Sequence, residues 1–275
     1  MRTFAPAAYA ICANLASHRA RRAVVRGGID LAWCDRREEA MRRDRIDFIG
    51  EYCDRWCERC AFTERCSHFA VQAAIAMCDG DFREAIELAV GRPQPVHGER
   101  QPTTGERLAE AFAAMPPPTD KELEEISREY EERAQRVDAS AISQASMDYG
   151  IGSSRWLEAH EMLRIDGDPA LREAVSIIEW DAHFIPAKLR RALNGLDEFR
   201  TGEAFEKDPV QNDWNGSAKV ALISIVRSEQ AWGLIHTALT DEGAAALRDA
   251  LRALGAAVRR EFPDATRFRR PGFDS

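Results

Sequence analysis

GDPALREAVSIIEWDAHFIPAKLRRALNG, residues 167–195, decides the fold class. Leu171, Val175, Ile178, Ala182, Ile185, Leu189 and Leu193 recur every three to four residues, which places them on one stripe of a long amphipathic helix. Pro169 after Gly167-Asp168 suits the first turn of that helix, where its missing N–H is not needed. Pro186 falls inside the stripe and predicts a kink there. Asn194-Gly195 is the expected stop.

The neighbouring segments carry the same period. Upstream, Thr119 or Asp120 caps a helix with Glu in its first turns, favourable at the positive end of the helix dipole. That helix is expected to reach Tyr149, with Gly150 and Gly152 breaking it. Ser153 or Ser154 then caps another, running to about Leu163. Downstream, Asp213-Trp214-Asn215-Gly216 reads as a turn, and Ser217 as the cap of a long helix to Leu239. A last helix spans Asp241 to Glu261 and stops before Pro263. No period-two pattern competes anywhere, so the expected fold is all-α: an antiparallel bundle of four or five helices over residues 119–263. Trp156, Trp180, Trp214 and Trp232 read as core and loop anchors.

The first part of the chain differs. Residues 1–40 carry seven Arg and four acidic residues and show no sustained period. We expect them to be a non-native or disordered extension, with translation starting at Met41. Residues 41–92 are expected to form a small cysteine-containing helical head. Its helices run from Asp44 to Cys57, from Ser67 to Cys78, and from Asp81 to Val90. A Pro-rich linker over 93–118, with a short helix from Gly105 to Met115, joins head to bundle. A basic and aromatic tail, 264–275, closes the chain.

Composition narrows the classes of function. The 275 residues are 45% apolar and 31% charged, an ordinary globular balance. The net charge of −8 repels phosphate backbones, so nucleic acid is an unfavoured partner. No apolar run approaches the roughly 18 residues that a membrane helix requires. Arg outnumbers Lys by 34 to 4, a bias of GC-rich bacterial genomes. Ser-His-Asp arrangements, Gly-rich phosphate loops and zinc-protease motifs are absent. Gly216-Ser217-Ala218-Lys219 lacks the upstream glycine and the Gly-Lys pair of a phosphate loop.

Five of the seven cysteines lie between Cys53 and Cys78. That clustering points to metal binding in a reducing, cytoplasmic compartment rather than to a disulfide scaffold. Cys53, Cys57, Cys60 and Cys66 follow the pattern C-x3-C-x2-C-x5-C. If the segment were helical, the first three would share one face, and Cys66 could fold back to complete four thiolates. Such a set holds either zinc or a 4Fe-4S cluster. Arg55, Arg59 and Arg65 would lower the thiol pKa values. Cys12, Cys34 and Cys78 read as bystanders. His68 could replace a thiolate, though a solvent-facing position at a helix start is the plainer expectation.

Cys57, Cys60 and Cys66, followed by Phe69, resemble the 4Fe-4S loop of endonuclease III-type DNA glycosylases, and half of the auxiliary-cluster pattern of some radical-SAM maturases. The resemblance implies a cluster. It does not extend to glycosylase activity, because Cys53 stands only four residues before Cys57 and no hairpin glycine motif accompanies it. Cys53, Cys57 and Cys60 also match radical-SAM spacing, but no barrel surrounds them. Lys188-Leu189-Arg190-Arg191-Ala192-Leu193-Asn194-Gly195, Gly216-Ser217-Ala218-Lys219-Val220-Ala221 and Arg270-Pro271-Gly272-Phe273 together resemble a bacterial family of uncharacterised helical proteins, a domain of unknown function.

Three functions follow as expectations. The first is a metal-binding helical protein with a structural or redox site at Cys53, Cys57, Cys60 and Cys66. The second is a non-catalytic module that binds a protein partner and carries a structural metal. The third is a dimetal carboxylate enzyme using Glu161, Glu179, His183 and Glu229 within the bundle, with His160 and His236 nearby, although the Glu-x-x-His pairs of that class are missing.

Overall fold

The computed structural model describes residues 45–46, 48–78, 81, 85, 89, 116–166, 168–202, 204 and 208–274. The expected extension 1–40, the helix from Gly105 to Met115 and most of the linker lie outside them, as does most of the helix expected from Asp81 to Val90. The chain divides into two compact units, Met1–Ala113 with Arg270–Ser275, and Ala114–Arg269. The described residues are predominantly helical and contain no strand, so the protein is all-α.

In the first unit, α1 spans Ser67–Met77. The second unit holds α2 (Asp120–Asp138), α3 (Ala141–Ala159), the short α4 (Leu163–Asp166), α5 (Pro169–Thr201), α6 (Asp213–Leu239) and α7 (Glu242–Glu261). The start of α2 is a reciprocal cap: the Glu122 N–H donates to the Thr119 hydroxyl, and the Thr119 N–H donates to the Glu122 carboxylate at 2.7 Å. Asp168 caps α5 through the N–H groups of Ala170 and Leu171.

Three expected boundaries fall elsewhere. Gly150 and Gly152 do not break a helix; they lie within α3, and the chain turns earlier, at Ser140, whose hydroxyl accepts from the Ser143 N–H at 3.1 Å. Asn194-Gly195 does not end α5, which continues to Thr201 and stops at Gly202 with φ of +80°. Gly195 serves packing instead, since a Cβ there would stand 3.3 Å from the Trp214 Cβ. Finally, α6 starts at Asp213 under an Asn212 cap rather than at Ser217, which is buried inside the helix. In each case a small or polar residue that resembles punctuation serves a close helix contact.

Named pairs show that neighbouring helices run antiparallel. Asp181 of α5 meets Arg227 of α6, while Arg191 further along α5 meets Asp213 at the start of α6. Glu229 of α6 pairs with Arg252 of α7. Arg133 and Arg136 of α2 reach Glu198 and Asp197 of α5, and Asp138 pairs with Arg190. α5 packs against α6, α3 and α2, and α7 closes the bundle against α6 and α3. The expected stripe is the core: Leu171, Val175, Ile178, Ile185, Leu189 and Leu193 are all buried. Trp156, Trp214 and Trp232 join them, while Trp180 remains partly exposed. No helix among the described residues is long and apolar enough to cross a membrane.

The tail divides between the two units. Phe262, Ala265 and Phe268 are buried, and the Lys219 ammonium donates to the Phe268 carbonyl at 2.5 Å. The Gln211 side chain both donates to the Arg269 carbonyl and accepts from its N–H. From Arg270 onward the chain belongs to the cysteine head.

Candidate metal centre

The cysteine segment is not the expected helix. Among the described residues before Cys57 the chain makes turns and bends, with positive φ at Phe48 (59°) and Arg55 (55°). Such values are incompatible with a right-handed helix. The Asp54 carboxylate accepts from the Trp56 N–H at 3.2 Å, a local bond that competes with helical pairing. The apolar spacing is real but serves turns: Ile49 and Trp56 are buried by folding the segment on itself.

Two 3-10 turns then place the later cysteines. Cys57–Arg59 forms the first, closed by the Cys60 N–H donating to the Cys57 carbonyl. Thr63–Arg65 forms the second, and its exit residue Cys66 caps α1. Two sulfurs accept backbone hydrogen bonds: Phe62 N–H donates to Cys60 Sγ, and Phe69 N–H to Cys66 Sγ, each at 3.4 Å. Both sulfurs are thus hydrogen-bond acceptors, and Cys66 stands at the start of α1. Cys53 differs, because its thiol donates toward the Gly50 carbonyl at 3.5 Å.

All four cysteines line one cavity with Trp56, Thr63, His68 and Phe273. The cavity is small, about 10 Å³, the room that one water-sized occupant needs. Burial, then the neighbouring Cys53, Cys66 and Cys60, push the Cys57 thiol up to about 11. The expected lowering of thiol pKa by nearby arginines is therefore not what governs Cys57. Arg59 instead stacks over the Trp56 ring at 3.6 Å. None of the five described cysteines forms a disulfide. Among the described residues, no three His, Cys, Asp or Glu side chains stand in a ready metal-holding arrangement. The thiols face a common space without being drawn to bonding distance.

His68 stands at the start of α1, as expected, and is only partly exposed. Its Nε2 is buried and makes no hydrogen bond. Burial and then Arg55 lower its pKa, against an opposing effect of Glu51. Gly50 is what permits this position, since a Cβ there would stand 2.8 Å from the His68 Cβ. Cys78 lies outside the cavity and packs with the alanines Ala74 and Ala85. Cys12 and Cys34 lie outside the described residues.

The C-terminal residues complete the head. Gly272, with φ of +77°, lets the chain pass so close to Ile46 that a Cβ would meet it at 2.8 Å. The Phe273 ring meets Phe62 edge-on at 4.9 Å and walls the cavity. Arg270 lies over the Phe273 ring at 4.8 Å and pairs with Asp274. From sequence, this basic and aromatic tail is expected to pack back on its own acidic domain; from Arg270 onward it belongs to the cysteine unit.

The bundle does not gather its expected carboxylates. Glu179 is exposed and pairs with Arg164 at 3.2 Å, Glu229 pairs with Arg252, and Glu161 and His183 are exposed. His160 stacks on Trp156 and lies 3.8 Å from Asp241, while His236 Nδ1 bonds to the Asp241 backbone carbonyl oxygen. The buried acid is Asp181, three residues after Ile178 on the core stripe and overlooked among its apolar neighbours. It accepts from Arg227 and from the Ser228 hydroxyl at 2.8 Å. No family model, curated protein or solved structure matches this chain.

Proposed function

We propose that this chain is a helical protein whose head is organised around one thiolate-bound metal ion, with zinc the best fit and a structural role. The observation that carries the reading is the convergence of Cys53, Cys57, Cys60 and Cys66 on one small cavity. Burial and mutual repulsion among these groups hold the Cys57 thiol protonated. A divalent cation reverses that balance, because each thiolate it attracts offsets its charge. The smallness of the cavity suits a single ion. The absence of disulfides among the described cysteines supports a reducing, cytoplasmic setting. A head of this kind serves as a rigid docking element for a protein partner.

A 4Fe-4S cluster is the second reading, supported by the Cys57/Cys60/Cys66 spacing and by the N–H···S bonds to Cys60 and Cys66. Zinc, iron and acid-labile sulfide per chain, measured on protein purified without oxygen, test both. One zinc and no sulfide is the expected result. Iron with matching sulfide establishes the cluster, and neither metal overturns both readings.

A further inference from the structure

We infer that His68 is a metal ligand, completing a three-thiolate, one-imidazole set with Cys57, Cys60 and Cys66 while Cys53 stands aside. This rests on the metal-binding reading above. Two contrasts in the head carry it.

The first is between the Nε2 of His68 and an ordinary buried ring nitrogen. A buried ring nitrogen nearly always finds a hydrogen-bond partner, because leaving it bare costs the desolvation of that atom. His68 Nε2 is buried, has none, and belongs to a residue that lines the cysteine cavity. Gly50 lets this part of the chain come close, since a Cβ there would stand 2.8 Å from the His68 Cβ and 3.2 Å from its Cγ. An imidazole nitrogen with no partner, next to thiols, is what a zinc ion takes.

The second contrast is among the four sulfurs. Cys60 and Cys66 accept backbone N–H groups, as metal-bound sulfurs do. Cys53 faces a backbone carbonyl oxygen, to which only a protonated thiol can bond. With five donors and four positions on a tetrahedral ion, Cys53 is the one that the backbone disfavours.

The balance of the binding step separates the two ligand sets. Three thiols and a neutral imidazole taking up one divalent cation release three protons and leave a complex of charge −1. Four thiols release four protons and leave −2.

The test uses the full chain and cobalt(II), whose near-ultraviolet thiolate charge-transfer band grows with the number of bound sulfurs, followed by zinc competition. C53S is expected to bind zinc within about twofold of the unmodified chain and to leave the band unchanged, whereas H68A weakens zinc by about a hundredfold or more. H68C is the control for a merely structural histidine: it is expected to restore tight binding and to raise the band by about one third. The proposal is overturned if C53S loses zinc while H68A keeps it. It is equally overturned if H68C leaves the band unchanged. A chain that binds neither zinc nor cobalt brings down the metal-binding reading itself, a result distinct from either ligand swap.

Discussion

Gly150 of α3 lies directly against the carbonyl oxygen of Ala182 in α5, so close that a Cβ on Gly150 would stand 2.7 Å from it. The residue four positions after Ala182 is Pro186, which has no N–H to return to that carbonyl. The proline frees an acceptor, and the glycine brings a backbone up to it; Pro186 also touches the same spot, 3.4 Å from the position of that Cβ. Alanine at position 150 should therefore cost about 1–3 kcal/mol from overpacking, outweighing the gain of roughly 1 kcal/mol in helix propensity. G233A is the counter-case, because a Cβ there meets only Arg248 Cδ at 3.9 Å. It should stabilise by about 0.5–1 kcal/mol. Urea unfolding of both variants checks the opposite signs.

Asp181 and Arg227 form an asymmetric ion pair. The Asp181 side chain has no exposed surface, whereas a quarter of the Arg227 side chain reaches solvent. R227M removes the guanidinium that pairs with a fully buried carboxylate, and should cost about 3–5 kcal/mol. D181L leaves a guanidinium that can lean toward water, and should cost less. The double substitution should be milder than R227M alone. A double-mutant cycle in urea gives the three values directly.

Acid should loosen the α6–α7 corner. Burial acts to raise the Asp241 pKa, but the Ala244 N–H, the Trp156 indole and His160 outweigh it and hold the carboxyl below its ordinary value. A carboxylate depressed in the folded state adds stability that is present above its unfolded pKa and lost as pH falls through the folded one. The loss should start near the ordinary Asp value of about 3.9 and continue below it. Asn at 241 can still cap α7. D241N should therefore flatten the stability profile below about pH 4 while leaving α7 formed at neutral pH, as acid titration followed by circular dichroism would show.

Phe273 should govern access to the thiols. Its ring walls the cysteine cavity and rests on Phe62. F273A should make the head cysteines react with an alkylating reagent roughly tenfold faster, the equivalent of about 1.4 kcal/mol less protection against opening. The thermal unfolding of the helical bundle should not move. Mass spectrometry of time-quenched samples gives the rate for each cysteine.

Much of the bundle was legible in the sequence because a single stripe, Leu171 to Leu193, has a period that only a helix satisfies. The Thr119 cap was legible too, as were the helix starts at Pro169 and next to Asp241, whereas the caps expected at Ser153 or Ser154 and at Ser217 fall inside helices. What failed was punctuation. Gly150, Gly152 and Gly195 look like breaks in a linear reading, but they are places where another helix comes near, and that partner is far away in sequence. Asp181 was missed for the same reason: its meaning depends on Arg227, 46 positions later.

The cysteine site was legible as a set and illegible as a shape. The spacing of Cys53, Cys57, Cys60 and Cys66 marks them as a group, and they do line one cavity. Their arrangement by turns rather than along a helix rests on Asp54 bonding to the Trp56 N–H and on left-handed backbone at Phe48 and Arg55. Neither residue type announces that conformation. His68 could not be placed without knowing that Gly50 lies against it.

Arg270–Ser275 belongs to the same unit as the cysteines, although the whole of Ala114–Arg269 comes between them in the chain. At ordinary translation rates, on the order of ten to forty seconds pass between the synthesis of Cys66 and that of Arg270. The thiols therefore emerge from the ribosome without the wall that Phe273 provides, and a helical bundle has time to fold in the interval. A chain cut short between Phe69 and Phe273 would lack that wall. The last wall of the cavity is thus also the last part of it to be synthesised.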